Sequence, residues 1–127
     1  MAKRRIKPID GLTAIDAIRA DPSLRNGDSA LTSPILATAV RFLLEDLAER
    51  IPGNSVEVRV PLFGAVQCVP GPDHRRGTPP NVVEMSAQTW LALALGETNV
   101  DSEAARGKLV ASGVRALEFA SVLPLVR

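Results

Sequence analysis

Nucleophilic catalysis through a thiol or hydroxyl requires a base within hydrogen-bond reach, and this chain offers a single imidazole, His74. The only thiol is Cys68. It falls in an apolar run with Val66 and Val69, the setting of a small core hydrophobe rather than of the exposed, electropositive site that activates a cysteine. One His and one Cys fall short of the three or four ligands that zinc sites recruit, and Asp73 beside His74 does not complete a set. Gly71 and Gly77 fit neither of the glycine-rich patterns that cradle phosphates. No catalytic residue, no metal and no cofactor is therefore expected. The stretch from Gly71 to Asn81 nevertheless gathers His74, Arg75 and Arg76 among glycines and prolines. The two guanidinium groups could clasp a carboxylate or phosphate with His74 assisting. The competing reading is a solvated turn stiffened by its prolines.

Composition narrows the partners. An apolar fraction of 46% with 23% charged residues over 127 positions describes one folded domain with one core, expected over residues 11–127. A net charge of +1 gives no footprint for a polyanion, and three Phe, one Trp and no Tyr make a poor stacking platform, so nucleic acid is not expected as a partner. The longest strongly apolar run, Trp90 to Leu95, is far below the roughly 20 residues needed to span a bilayer, so no membrane insertion is expected. Lys3, Arg4, Arg5 and Lys7 are followed by Pro8 and Asp10 instead of an apolar region. Residues 1–10 therefore read as a flexible basic tail, not a signal peptide. A lone cysteine excludes an internal disulfide and fits a reducing, cytoplasmic setting.

The elements that must position any site follow from periodicity. Leu12, Ile15 and Ile18 suggest a short helix that Asp21-Pro22 ends. Ser33-Pro34 opens a longer one, with Ser33 placed to cap it. Along it Ile35, Leu36, Ala39, Val40, Leu43, Leu44, Leu47 and Ile51 hold one face, and Arg41 with Glu45 and Asp46 with Arg50 sit four apart on the other. The period then drops to two at Val56, Val58 and Val60, a half-buried strand closed by Pro61. Further strands are expected at Gly64 to Val69 and Asn81 to Met85, the three together forming a meander. Ser86 caps a helix carrying Ala87, Trp90, Leu91, Ala94 and Leu95 up to Gly96, and Asp101 is placed to cap a shorter one ending near Gly107. A strand at Lys108 to Ser112 and a final helical turn or two around Leu117 to Leu123 complete an α+β order, with helices covering a mostly antiparallel sheet of four to five strands.

The run Val56 to Pro61, then Ala65-Val66-Gln67-Cys68, Gly71-Pro72 with His74, Arg76-Gly77-Thr78-Pro79-Pro80-Asn81-Val82-Val83-Glu84 and Thr89-Trp90-Leu91 resembles the bacterial, mainly actinobacterial, sterol-carrier-like proteins. The C-terminal pattern of Trp90, Leu91, Gly96, Gly107, Gly113 and Leu123-Pro124 is similar to the wider sterol carrier superfamily, which includes the C-terminal domain of mycothiol-dependent maleylpyruvate isomerases. The resemblance implies a five-stranded sheet covered on one side by helices, with an apolar tunnel between the layers that in some members holds sterols, fatty acids or acyl-CoA. It also implies no cofactor and no catalytic residue.

Together these readings lead to a non-enzymatic carrier or sensor of an apolar or amphipathic small molecule. Leu36, Val40, Leu43, Leu47, Val66, Trp90, Phe119 and Leu123 are expected to line its seat between the long helix, the C-terminal turns and the sheet. His74, Arg75 and Arg76 stand as possible contacts for a polar head group. Trp90 and the apolar helix face serve equally well as plain core. The alternative is a protein-docking module with a filled core. An enzyme acting on a thiol or CoA adduct would have only His74 and Arg76 to work with. The oligomeric state is left open at this point.

Overall fold

Pro8 opens the first helix because its fixed φ and missing N–H suit the first helical position, while Lys7 before it is held extended at φ −66°, ψ 141°. The computed structural model describes residues 5–26, 33–71 and 80–126. Within these, α1 runs Pro8–Ala20 and buries Gly11, Ala14, Ile15 and Ile18, starting inside the segment expected as a tail. Asp21, extended ahead of Pro22, ends it, and a 3-10 turn follows over Pro22–Asn26. Helix α2 spans Pro34–Arg50. Its start rests on Pro34 alone, since the expected cap Ser33 makes no side-chain capping bond.

Strands β1 (Val56–Val60), β2 (Gly64–Cys68), β3 (Asn81–Met85) and β4 (Leu109–Ser112) form one sheet in the order β2-β1-β3-β4. The meander is overturned: β3 pairs with β1, parallel, in the register Val58↔Val83. The outer pairs, β1 with β2 and β3 with β4, are antiparallel, so the sheet is mixed with two antiparallel pairs out of three. Burial explains the order. Val56, Val58 and Val60 are wholly buried, and the alternating strand with the most apolar surface takes the centre. Gly64, Ala65 and Gln67 leave β2 better suited to an edge. Cys68 and Asn81 both stand beside Val56, so β2 ends and β3 begins at the same end of β1.

The period of two sorts the residues onto two faces. One carries Val56, Val58, Val60, Cys68, Val83, Met85 and Leu109, all buried under helices. The other carries Glu57 ion-paired with Arg59, along with Gln67, Glu84, Val110 and Ser112, and stays open. Helix α2 packs on the β2 side, α1 packs on α2, and the 3-10 segment Ala116–Val122 covers β1 and β3. Helix α3 (Ala87–Ala94) is capped as expected, Ser86 accepting from the Thr89 N–H at 3.2 Å. Helix α4 (Val100–Ala105) is capped by Asn99, which accepts from the Ser102 N–H at 2.9 Å. The expected cap, Asp101, lies inside α4, because Asn99 is the residue with extended φ and ψ.

Candidate functional site

Helix α2 has two useful sides, and they do different things. Leu36, Val40, Leu43 and Leu47 point inward and join Trp90 and Phe119 in the core, all six at 0% exposure, so no water-sized space lies against any of them. Trp90 satisfies its indole N–H on the Val40 carbonyl at 3.3 Å, which fixes it as the joint between α2 and α3. Of the other expected lining residues, Val66 and Leu123 are half-buried and pack against this core.

The second side carries Thr38, Arg41, Glu45 and Ala48, which recur at three- and four-residue spacing and so form one stripe. Together with Leu44 they face the β2 edge at Phe63, Gly64, Ala65 and Val66. Arg5 and Ile6 come across from the segment before α1. These residues line a cleft of about 620 Å³ that is open to solvent along one side. Val66 is the one expected lining residue that it includes.

Local hydrogen bonds fix its charged groups. Arg41 and Glu45, expected as an ion pair, take other partners, whereas Asp46 and Arg50 do pair at 2.9 Å. The Arg41 Nε donates to the Phe63 carbonyl at 2.6 Å. Glu45 Oε1 accepts from the backbone N–H groups of Arg5 and Ile6, each at 3.1 Å, and thereby ties the N-terminal segment down along the cleft. Leu44 and Arg41 lie directly over Gly64, where a Cβ would meet them at 3.6 and 3.9 Å, ordinary van der Waals contact.

A polar knot holds the opposite end of the sheet. Asn81, buried, donates through Nδ2 to the Ser55 carbonyl at 2.8 Å and accepts at Oδ1 from the Arg115 N–H at 2.9 Å. The Arg115 guanidinium reaches the Pro70 carbonyl at 2.8 Å and pairs with Glu118 at 2.9 and 3.0 Å. Pro70 and Asn81 are thus both held by one residue, Arg115, the first through its guanidinium and the second through its backbone N–H. His74, Arg75 and Arg76 lie outside the described residues.

Cys68 is fully buried, and burial pushes its thiol up to about 12, far from the thiolate a nucleophile needs. Among the described residues no cluster of His, Cys, Asp or Glu could hold a metal ion, and no helix is long and apolar enough to cross a membrane.

Of the cleft residues, sequence reasoning named Val66 alone as lining and missed the rest, Arg41 and Glu45 included. The available signal was the stripe Thr38, Arg41, Glu45, Ala48 on the polar side of α2.

The architecture is therefore a small α+β domain, one sheet face covered by helices, with an amphipathic cleft where the longest helix meets an edge strand. The chain belongs to the family described as bacterial SCP (sterol carrier protein) orthologs, whose model matches residues 33–125. That family is one of carrier-type domains rather than catalytic ones. No curated protein matches the chain.

Proposed function

We propose that this protein binds and carries an apolar or amphipathic small molecule, seated in the cleft between α2 and β2. The observation that carries the reading is the cleft itself. Its volume of about 620 Å³ lies in the range of about 300–1,000 Å³ typical of small-molecule sites. Its floor of Leu44, Ala48, Phe63 and Val66 is apolar, while its charged groups sit at defined positions. Membership of a carrier family supports the same function. A seat between α2 and the sheet would first need Leu43, Leu47 and Trp90 to part, whereas the cleft needs no such step. Apolar burial at about 25 cal/mol per Å² supplies the affinity, less the cost of ordering the ligand.

Native mass spectrometry after gentle purification, with solvent extraction of any adduct, tests this. An adduct that a fluorescent fatty acyl probe displaces is expected. A bare mass together with no probe binding overturns it. A docking module with a filled core is the second reading, favoured by the exposed side chains of Val110 and Val114 at β4, an edge strand among the described residues. It predicts a bare mass, and a partner affinity that Val110→Asp and Val114→Asp lower while Arg41→Gln does not.

A further inference from the structure

We propose that two copies of this chain pair through the β4 edge, antiparallel about a two-fold axis at Val110, so that their sheets become one. Among the described residues β4 closes one side of the order β2-β1-β3-β4 and has β3 as its one ladder partner. Val110, Ala111 and Ser112 are all exposed, as are Gly113 and Val114 beyond them, so the strand meets solvent. Edge strands are ordinarily guarded against pairing by a charge, a proline or a bulge. From Leu109 to Val114 there is no charge and no proline, and the register with β3 runs without a bulge. Three of the seven large apolar side chains exposed among the described residues, Val110, Val114 and Leu117, belong to this edge and the turns that follow it.

The strand's own sequence selects a second copy as the occupant. In a two-fold antiparallel pair that extends a sheet, one residue stands opposite its own copy, because only then do facing side chains share a face. With Val110 in that place, Leu109 meets the partner's Ala111 and Lys108 meets the partner's Ser112, so every residue of β4 is paired. The two valines, each 69% exposed in the single chain, then cover one another on the open face of the sheet. The two Lys108 stand about 14 Å apart along the seam at about 3.4 Å per residue, so no like charges face each other. A centre at Ala111 would instead set each valine against a serine hydroxyl, and Leu109 against the partner's Gly113, whose φ of 102° has left the strand. Pairing β4 with β4 uses both open edges and closes the assembly at two, whereas β4 on β2 would leave an edge free at each end. The seam lies at the opposite side of the sheet from β2, so each copy keeps its α2–β2 cleft and the dimer does not depend on what that cleft holds. One short strand pair with one valine pair is a small interface, which places the dissociation constant in the micromolar range.

Sedimentation velocity from low-micromolar to near-millimolar protein at low salt tests the pairing. The wild type is expected to pass from monomer to dimer and no further. Val110→Lys opposes two ammonium groups at the axis and should raise the dissociation constant about tenfold, with an unchanged circular dichroism spectrum. Val110→Cys puts two thiols across the axis, where facing Cα atoms are about 4.5–5.5 Å apart and within reach of a disulfide, so mild oxidation should link two chains. Leu62→Cys, of similar exposure on the turn between β1 and β2, gives the background from chance collision and from the buried Cys68. A monomer at every concentration overturns the proposal and leaves the edge to a strand of a different protein. A dimer that Val110→Lys leaves intact, or cross-linking of Val110→Cys no faster than of Leu62→Cys, overturns it as well, since the copies then meet elsewhere. Should Val110→Lys fail to fold, Val110→Cys decides the matter alone.

Discussion

Replacing Asn81 with alanine should lower the folding free energy by about 2–4 kcal/mol. Asn81 is 4% exposed, and both ends of its amide are in use, one on the Ser55 carbonyl and one on the Arg115 N–H. Ser55 is 3% exposed, so its carbonyl finds no water when the amide is removed. Stranding a buried polar group costs about 1–3 kcal/mol. Arg115 is half-buried, and its N–H recovers part of the loss from solvent. One full and one partial penalty, with a small void added, give the range stated. Asn81→Asp keeps the acceptor for Arg115 but sets a carboxylate against the Ser55 carbonyl. It should be at least as harmful at neutral pH and should recover as acid protonates it, since the neutral carboxyl can donate where the amide did. Urea unfolding followed by fluorescence of Trp90, the single, fully buried indole, measures both variants. A loss below about 1 kcal/mol at unchanged m, or no recovery of Asn81→Asp in acid, would refute the reasoning that this amide joins β1, β3 and the C-terminal segment.

Three further outcomes follow from the packing. Gly11→Ala places a Cβ within the Phe42 ring where α1 crosses α2. Overpacking of about 1–3 kcal/mol outweighs the gain of about 1 kcal/mol in helix propensity, so chemical unfolding should show a net loss, relieved by adding Phe42→Leu. Leu62→Asn should raise stability by about 0.5–1 kcal/mol, because Leu62 is 75% exposed at φ 72°, a conformation Asn tolerates; a fall in the unfolding midpoint would count against it. The bidentate bond from Arg25, at 2.6 and 2.7 Å, holds the Glu97 carboxyl below its ordinary 4.5. A lowered folded-state pKa stabilises above the ordinary value and loses that contribution as pH falls through the folded one. Glu97→Gln should therefore flatten the acid limb of the stability profile below about pH 4.5 and leave the rest of its shape unchanged.

Local signals carried the elements well and their pairing badly. The switch from the four-residue rhythm of α2 to the alternation of Val56, Val58 and Val60 is written in neighbouring residues, and so is the Ser86 cap, which needs only its own amide three residues on. The start of α1 was hidden because Pro8 and Asp10, read as breaking an apolar run, are first-turn residues of a helix. Pairing is decided elsewhere. Nothing near β3 states that its partner is β1, since that follows from competition among strands for a central place. Core residues such as Leu43 and Trp90 were legible as apolar, yet whether they surround a space or fill one depends on packing that no period encodes. The cleft escaped for a related reason. It joins polar residues of α2 to a turn at Phe63 and to Arg5 and Ile6, three segments far apart in sequence, and only the Thr38, Arg41, Glu45, Ala48 stripe repeats.

Strand β2 is bracketed by the two non-glycine residues with positive φ among the described residues, Leu62 at 72° and Val69 at 69°. Val69 is held there by its N–H on the Ile51 carbonyl at 2.7 Å and by the Ser55 N–H on its own carbonyl at 3.1 Å. Each left-handed residue stores about 1–2 kcal/mol, and among the described residues β2 has a ladder partner on one side only. Among the described residues, peeling β2 away from β1 breaks one ladder and the packing of β2 on α2, whereas parting β1 from β3 divides the centre of the sheet, so the β2 opening is expected to be the one of lower free energy. Amides of β2 should exchange with deuterium ahead of those shared by β1 and β3, and the Cys68 thiol should become reactive at the same rate. Strand β2 stands between solvent on one side and the inner face of α2 on the other, so its opening is the step by which Cys68 and the residues beneath α2 would meet solvent.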